Sequence, residues 1–162
     1  MTEPTTPSPS DKEAYHREAE SRIKTFSYKK PTANGHVKQI ANLFRGDLIR
    51  LNVQIVTEGG ENNLHYHTGG DNAWMVLRGG ARFYGLDDAL LGEFHANEGI
   101  LLPGGSRYWF EKVSEEDLEI LQIVCKETRT SKTERINLEQ HKNWMTDDYL
   151  KVYEKAPGAA EP

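Results

Sequence analysis

The sequence predicts an all-β domain, an antiparallel sandwich or barrel with helices confined to its periphery. Three observations carry this. Eleven of the 14 glycines fall between Gly59 and Gly105, where they cut the chain into short segments. Residues 48–56, Leu-Ile-Arg-Leu-Asn-Val-Gln-Ile-Val, alternate with the period of two expected of a pleated strand. Little helical pattern separates the short strands, which favours antiparallel pairing over crossover-linked parallel strands. A chain of 162 residues has room for one such domain plus terminal extensions.

In chain order, residues 1–10 are rich in Thr, Pro and Ser, have almost nothing apolar to bury, and read as a disordered leader. Residues 11–37 form a helix and arm. The helix runs over 11–24 with Asp11 as N-cap, and its sparse stripe of Ala14, Ala19 and Ile23 makes it peripheral. The barrel spans residues 38–127. Within 48–56, Ile49, Leu51, Val53 and Ile55 share one face and Arg50, Asn52 and Gln54 the other. That polar face is either solvated or, in a barrel, turned inward, where it would bind a carboxylated substrate.

Further strands are expected at 73–77, 81–84, 99–102, 107–112 and 118–126, joined by Gly-Gly, Asp-Asp and Pro-Gly-Gly turns. Glu115, Glu116 and Asp117 read as a polar turn before the last of them. Residues 128–162 form a C-terminal helical extension. Leu138, Trp144, Met145, Tyr149 and Val152 are spaced to dock a helix on the barrel as a lid, with 156–162 frayed.

Composition narrows the partners. The net charge is −5 and no basic run exceeds Lys29-Lys30, so neither nucleic acid nor an anionic membrane surface is expected; a small molecule is. The longest apolar stretches, such as residues 99–102, fall far short of the roughly 20 residues of a membrane span. The N-terminus lacks the basic start and apolar stretch of an export signal, and the single Cys125 allows no internal disulfide, which together point to the cytoplasm. Cys125 itself is expected to be a small apolar packing residue.

The strongest chemical signal is Gly59-Gly60-Glu-Asn-Asn-Leu-His65-Tyr66-His67. Two histidines two residues apart on a strand point to the same side, and two neutral imidazoles so placed suit one divalent metal such as Fe, Mn, Ni, Cu or Zn. The surrounding frame resembles the two motifs of the cupin superfamily. Gly59, five residues, His65-Tyr66-His67, four residues, Asn72, six residues and Gly79 fit the spacing of the first motif. Asn97, five residues, Pro103-Gly104-Gly105, two residues, Tyr108 and then Lys112 occupy the frame of the second, in a degenerate form.

The resemblance implies an RmlC-like, double-stranded β-helix (jelly-roll) barrel and a metal held by His65, His67, Asn72 and Tyr108. Asn72 stands where the family has glutamate and Tyr108 where it has histidine, so two strong ligands remain. A neutral amide and a phenol near pKa 10 are weaker donors, and metal affinity should be lower. Asp71, next to Asn72 but of opposite parity, and His95 are the alternative third ligands. Asn97 in place of the turn glycine is a mild change, since asparagine tolerates positive φ.

Trp74 and Phe110 share the inward parity and are either core aromatics or walls of a planar-substrate pocket. Tyr108 would serve as ligand, proton donor or hydrogen-bond donor. The leading expectation is a metal-dependent enzyme on a small organic acid or aromatic metabolite, dioxygenase-like or a lyase or isomerase. The alternatives are a non-catalytic small-molecule binder with a vestigial metal site and a metal-free epimerase-like cupin. A homodimer is implied by the resemblance. His16, His36 and His141 lie outside the frame and are expected to be surface residues.

Overall fold

The computed structural model describes residues 8–33, 35–58, 60–139 and 150–153. Helix α1 (Pro9–Glu20) starts on Ser8 rather than Asp11. The Ser8 hydroxyl accepts from the Asp11 backbone N–H at 3.2 Å while the Asp11 carboxylate accepts from the Ser8 N–H at 3.2 Å, so Asp11 is the third residue of a capping box. Pro9, with no N–H to satisfy, fits the first helical position. None of the helix is buried.

Among the described residues eleven strands follow: β1 (Lys38–Arg45), β2 (Ile49–Val56), β3 (His65–His67), β4 (Gly70–Arg78), β5 (Gly80–Tyr84), β6 (Leu90–His95), β7 (Gly99–Leu102), β8 (Trp109–Lys112), β9 (Leu118–Lys126), β10 (Arg135–Asn137) and β11 (Leu150–Tyr153). β1 and β6 carry no clean alternation and were not expected from the sequence; each is a strand because a neighbour supplies its ladder, β2 for β1 and β5 for β6.

One layer is a six-stranded sheet in the order β11-β1-β2-β9-β4-β7. The facing layer joins the pair β10-β3 to β6-β5-β8 through a single antiparallel bridge between His65 and Tyr108. The expected C-terminal helix is not found at its ends: Asn137 completes β10, and residues 150–153 pair in parallel with β1. Partnering the open backbone of β1 and β3 outweighs a weak helical spacing. Leu138 and Val152 are exposed. Trp144, Met145, Tyr149 and His141 lie outside the described residues, as do Gly59, the leader through residue 7 and the end from 154 onward. No helix among the described residues is long and apolar enough to cross a membrane.

Register fixes what faces the interior. Arg50 lies opposite Val124, which lies opposite Asn72; Asn52, Gln122 and Trp74 form the next row, and Gln54, Ile120 and Val76 the one after. The facing layer contributes Ala81, Phe83, Tyr108 and Phe110, which pack with Val56, Trp74, Val76, Leu118 and Ile120 into the main core. The polar row of β2 is therefore the inner one. Its apolar row, Val53 and Ile55, packs outward with Ala41 against Tyr28, Leu43 and Leu121. The arm after α1 lies over this outer cluster: the Tyr28 hydroxyl donates to Glu119 at 2.6 Å and Lys30 pairs with Asp117 at 2.8 Å.

Two turns show their residue choice. Asn97 adopts φ +72°, as its place in the second-motif turn requires. Gly79 adopts φ +80°, and a Cβ there would stand 2.7 Å from the Ser114 hydroxyl oxygen. Cys125, against expectation, is exposed, because it falls in the outward row of β9 with Asp71 and Ile49. Glu116 and Asp117 do lie in the turn between β8 and β9, where Glu116 pairs with Arg78 at 2.6 Å.

Candidate functional site

Strand β3 has only three residues, yet it is held on both sides, by β10 and by Tyr108. The His65 N–H donates to the Tyr108 carbonyl at 3.1 Å and the Tyr108 N–H returns to the His65 carbonyl at 2.9 Å. Both histidines consequently point inward. Their ring centroids are 5.1 Å apart at 85°, and the Tyr108 ring lies 4.5 Å from His65 and 6.3 Å from His67.

Because a carbonyl can only accept, His65 Nδ1 carries the proton of its 2.7 Å bond to the Asn63 carbonyl, which leaves Nε2 as a lone-pair donor. Asn63 is itself fixed: its amide donates to the Glu139 carbonyl at 3.0 Å and its oxygen accepts from Arg135 at 2.5 Å. Both imidazoles are neutral at ordinary pH. Burial, aided by the charge of Arg135, brings His65 down to about 3; burial with Arg135 and Arg50 brings His67 down to about 4.

Opposite them lies a network of amides. Asn52 and Gln54 both donate to the Gln122 oxygen, at 3.1 and 3.3 Å, and Gln122 donates to the Asn72 oxygen at 2.9 Å. Asn72 is thus buried and inward, but its acceptor oxygen is engaged by Gln122.

Between the layers is a cavity of about 370 Å³ whose lining includes Lys38, Arg50, Gln54, His65, His67, Trp74, Gln122 and Arg135. Past Arg50 and Thr133 it adjoins a second cavity of about 390 Å³ bordered by Arg45, Lys126, Lys132 and Glu134. Among the described residues, the buried side-chain polar atoms with no hydrogen-bond partner in the protein are Arg50 Nε, Asn52 Oδ1, Gln54 Oε1, Trp74 Nε1 and the Tyr108 hydroxyl. All five residues were singled out by the sequence. Phe110, nominated with them, is fully buried in the apolar core. Burial pushes the Tyr108 phenol above its ordinary range, against the opposing influence of Trp74 and of the Arg135 charge, so it stays protonated.

The donor set fits a divalent metal poorly. Among the described residues no group of three or more His, Cys, Asp or Glu converges. Asp71 is exposed and accepts from the Gly104 N–H at 2.9 Å, and His95 is exposed beside Glu93 at 3.4 Å; neither lines the cavity, so neither is the third ligand. Among the described residues the cavity wall has no carboxylate but has the cations Lys38, Arg50 and Arg135, whose field opposes a dication and attracts an anion.

Sequence reasoning missed Lys38, Gln122 and Arg135. Gln122 was legible in principle, as a lone polar residue in Ile-Leu-Gln-Ile-Val with the parity of Ile120 and Val124. Lys38 and Arg135 carry no local signal, since pairing across the fold brings them in.

No protein-family model matches the sequence, and no curated protein matches it. Solved structures do. An uncharacterized conserved protein with a double-stranded β-helix domain from Klebsiella pneumoniae is 20% identical, covering 74% of this chain and 95% of its own, with a TM-score of 0.57. An RmlC-like cupin family protein from Methanocaldococcus jannaschii is 12% identical over 65% of this chain and 92% of its own, at 0.53. A cupin superfamily protein from Desulfitobacterium hafniense is 16% identical over 65% and 98%, at 0.51. The two packed layers, the short histidine strand bridged to Tyr108 and these likenesses agree: the chain has the double-stranded β-helix fold of the RmlC-like cupins.

Proposed function

We propose that the barrel cavity binds a small organic anion. The observation that carries this is the coincidence of two features: unpaired buried polar atoms on Arg50, Gln54 and Trp74 in the cavity lining, with those of Asn52 and Tyr108 on the same strands and bridge, and a wall that among the described residues holds three basic side chains and no carboxylate. Buried polar groups without partners each cost about 1–3 kcal/mol, so their clustering marks a place where a ligand completes the hydrogen bonding. Arg50 and Arg135 suit a carboxylate or a similar oxyanion. The open oxygens of Asn52 and Gln54 suit hydroxyl donors, and the Trp74 N–H and Tyr108 O–H suit carbonyl acceptors. A volume of about 370 Å³ is within the range of small-molecule sites.

Calorimetric titration with a panel of mono- and dicarboxylates tests this. Arg50→Gln should weaken binding about 10- to 100-fold, the worth of one charge-assisted hydrogen bond. Unchanged affinity in that variant, or no carboxylate bound by the wild type, would refute it.

A metal-dependent enzyme on such an acid is the second reading, favoured by one observation: His65 Nδ1 is fixed by the Asn63 carbonyl, the kind of support that metal-ligating histidines have. It requires close to one equivalent of divalent metal in the purified protein, lost in His65→Ala and His67→Ala. Less than about a tenth of an equivalent in elemental analysis excludes it and leaves the anion-binding role alone.

A further inference from the structure

We propose that Lys38 is a reactive amine that captures a carbonyl-bearing organic anion in the barrel cavity as an imine, so that the ligand class is the 2-oxo acids and their relatives. This rests on the anion-binding reading above. Lys38 is the first residue of β1, and its pairing with Val56, whose side chain belongs to the main core, turns it inward. It is 5% exposed and lines the cavity. Its amine sits 5.4 Å above the Phe110 ring and donates to the neutral oxygen of Asn62.

Lys30 shows what an ordinary lysine does in this fold: it pairs with Asp117 at 2.8 Å and Glu119 at 3.5 Å. Lys38 has no such ion pair among the described residues, and the charge of Glu61 acts on it more weakly than burial or Arg135 does. Burial, reinforced by Arg135, brings the amine down to about 7, so that much of it is neutral at physiological pH. A desolvated lysine beside another cation is an activated nucleophile.

Arg135 lines the same cavity as Lys38, His65 and His67. A carboxylate drawn to it is presented next to the amine. The step balances without any other reactant: the Lys38 nitrogen adds to the carbonyl carbon, a C–N bond forms, and the carbonyl oxygen leaves as water with the two amine hydrogens, giving C=N in place of C=O. The unpaired Tyr108 hydroxyl is a hydrogen-bond donor for the oxygen as it departs.

The test compares pyruvate with lactate, which differ only in the carbonyl. The full-length protein is incubated with either, treated with borohydride, and analysed by intact mass and peptide mapping; affinity is measured in parallel for both. The expected result is one reduced adduct, with pyruvate only, on Lys38, absent in Lys38→Arg and Lys38→Met. Lactate should still bind Lys38→Arg. If pyruvate and lactate bind alike and no adduct forms, or adducts scatter over surface lysines such as Lys12, the imine is overturned while the anion site stands. If neither acid binds, both readings fall. The pyruvate–lactate contrast uses the wild-type chain, so a variant that does not fold leaves the result intact.

Discussion

The two halves of this barrel interior are made by the same strands and have opposite chemistry. In one, Val56, Val76, Phe83, Phe110, Leu118 and Ile120 are each at most 1% exposed and make an apolar plug. In the other, Asn52, Asn72, Gln122 and His65 are buried and Arg50 and His67 half-buried, with donors and acceptors to spare. The border runs across single strands: β2 passes from Arg50 to Val56 and β4 from Asn72 to Val76 on the same inward side. Lys38 reaches across that border, with its amine over the Phe110 ring. The difference teaches how a small domain supports a costly polar chamber, since the plug supplies the stability that the chamber spends.

The largest expected effect breaks the plug. Phe110→Ala removes a fully buried ring and should cost about 3–5 kcal/mol, read as a fall in the urea midpoint with little change in slope. Gln122→Leu acts in the other half. It leaves the Asn72 oxygen and the Asn52 and Gln54 amides without their partner, and should cost about 1–3 kcal/mol in urea unfolding while weakening carboxylate binding.

The histidines sharpen the comparison through pH. Both are basic groups whose folded values are depressed, to about 3 and about 4, so the unfolded chain binds more protons below its own value of about 6.5. Their contribution is complete above that pH and is lost as pH falls toward the folded values. For the enclosed His65 the loss by pH 5 is roughly 2 kcal/mol, and smaller for the half-buried His67. Metal-free His65→Gln protein should show a flatter stability profile between pH 7 and 5; an unchanged slope would refute the assignment.

The smallest effect lies outside the barrel. Ser8→Ala removes the cap of α1 and should loosen that helix by about 1 kcal/mol locally, seen as faster proteolysis near residue 15. The global midpoint should not move, because α1 buries nothing.

The barrel was legible in the sequence because its inner strands carry their own signals: alternation in β2, glycine turns around β4 and β5, and a motif frame that aligns His65, His67 and Tyr108. The ends were less legible. β10 and β11 exist because the strands beside them need partners, which no local pattern announces. The position of Asn72 was read correctly as inward but not its engagement, since its partner Gln122 lies 50 residues away. The basic character of the chamber was hidden for the same reason: in an acidic chain, three cations from β1, β2 and β10 meet only in the fold.

The arm that covers the outer side of β2 has a consequence for how this chain can evolve. With the arm in place, one face of that strand serves the ligand chamber and the other a second apolar cluster, so neither face is idle. Adding or deleting a single residue inside β2 would exchange the two sets, placing an arginine and two amides beneath Tyr28 and aliphatic groups beside the histidines. A one-residue insertion or deletion within β2 is therefore expected to disrupt both the chamber and the outer cluster at once, whereas substitution within the fixed frame alters one without the other.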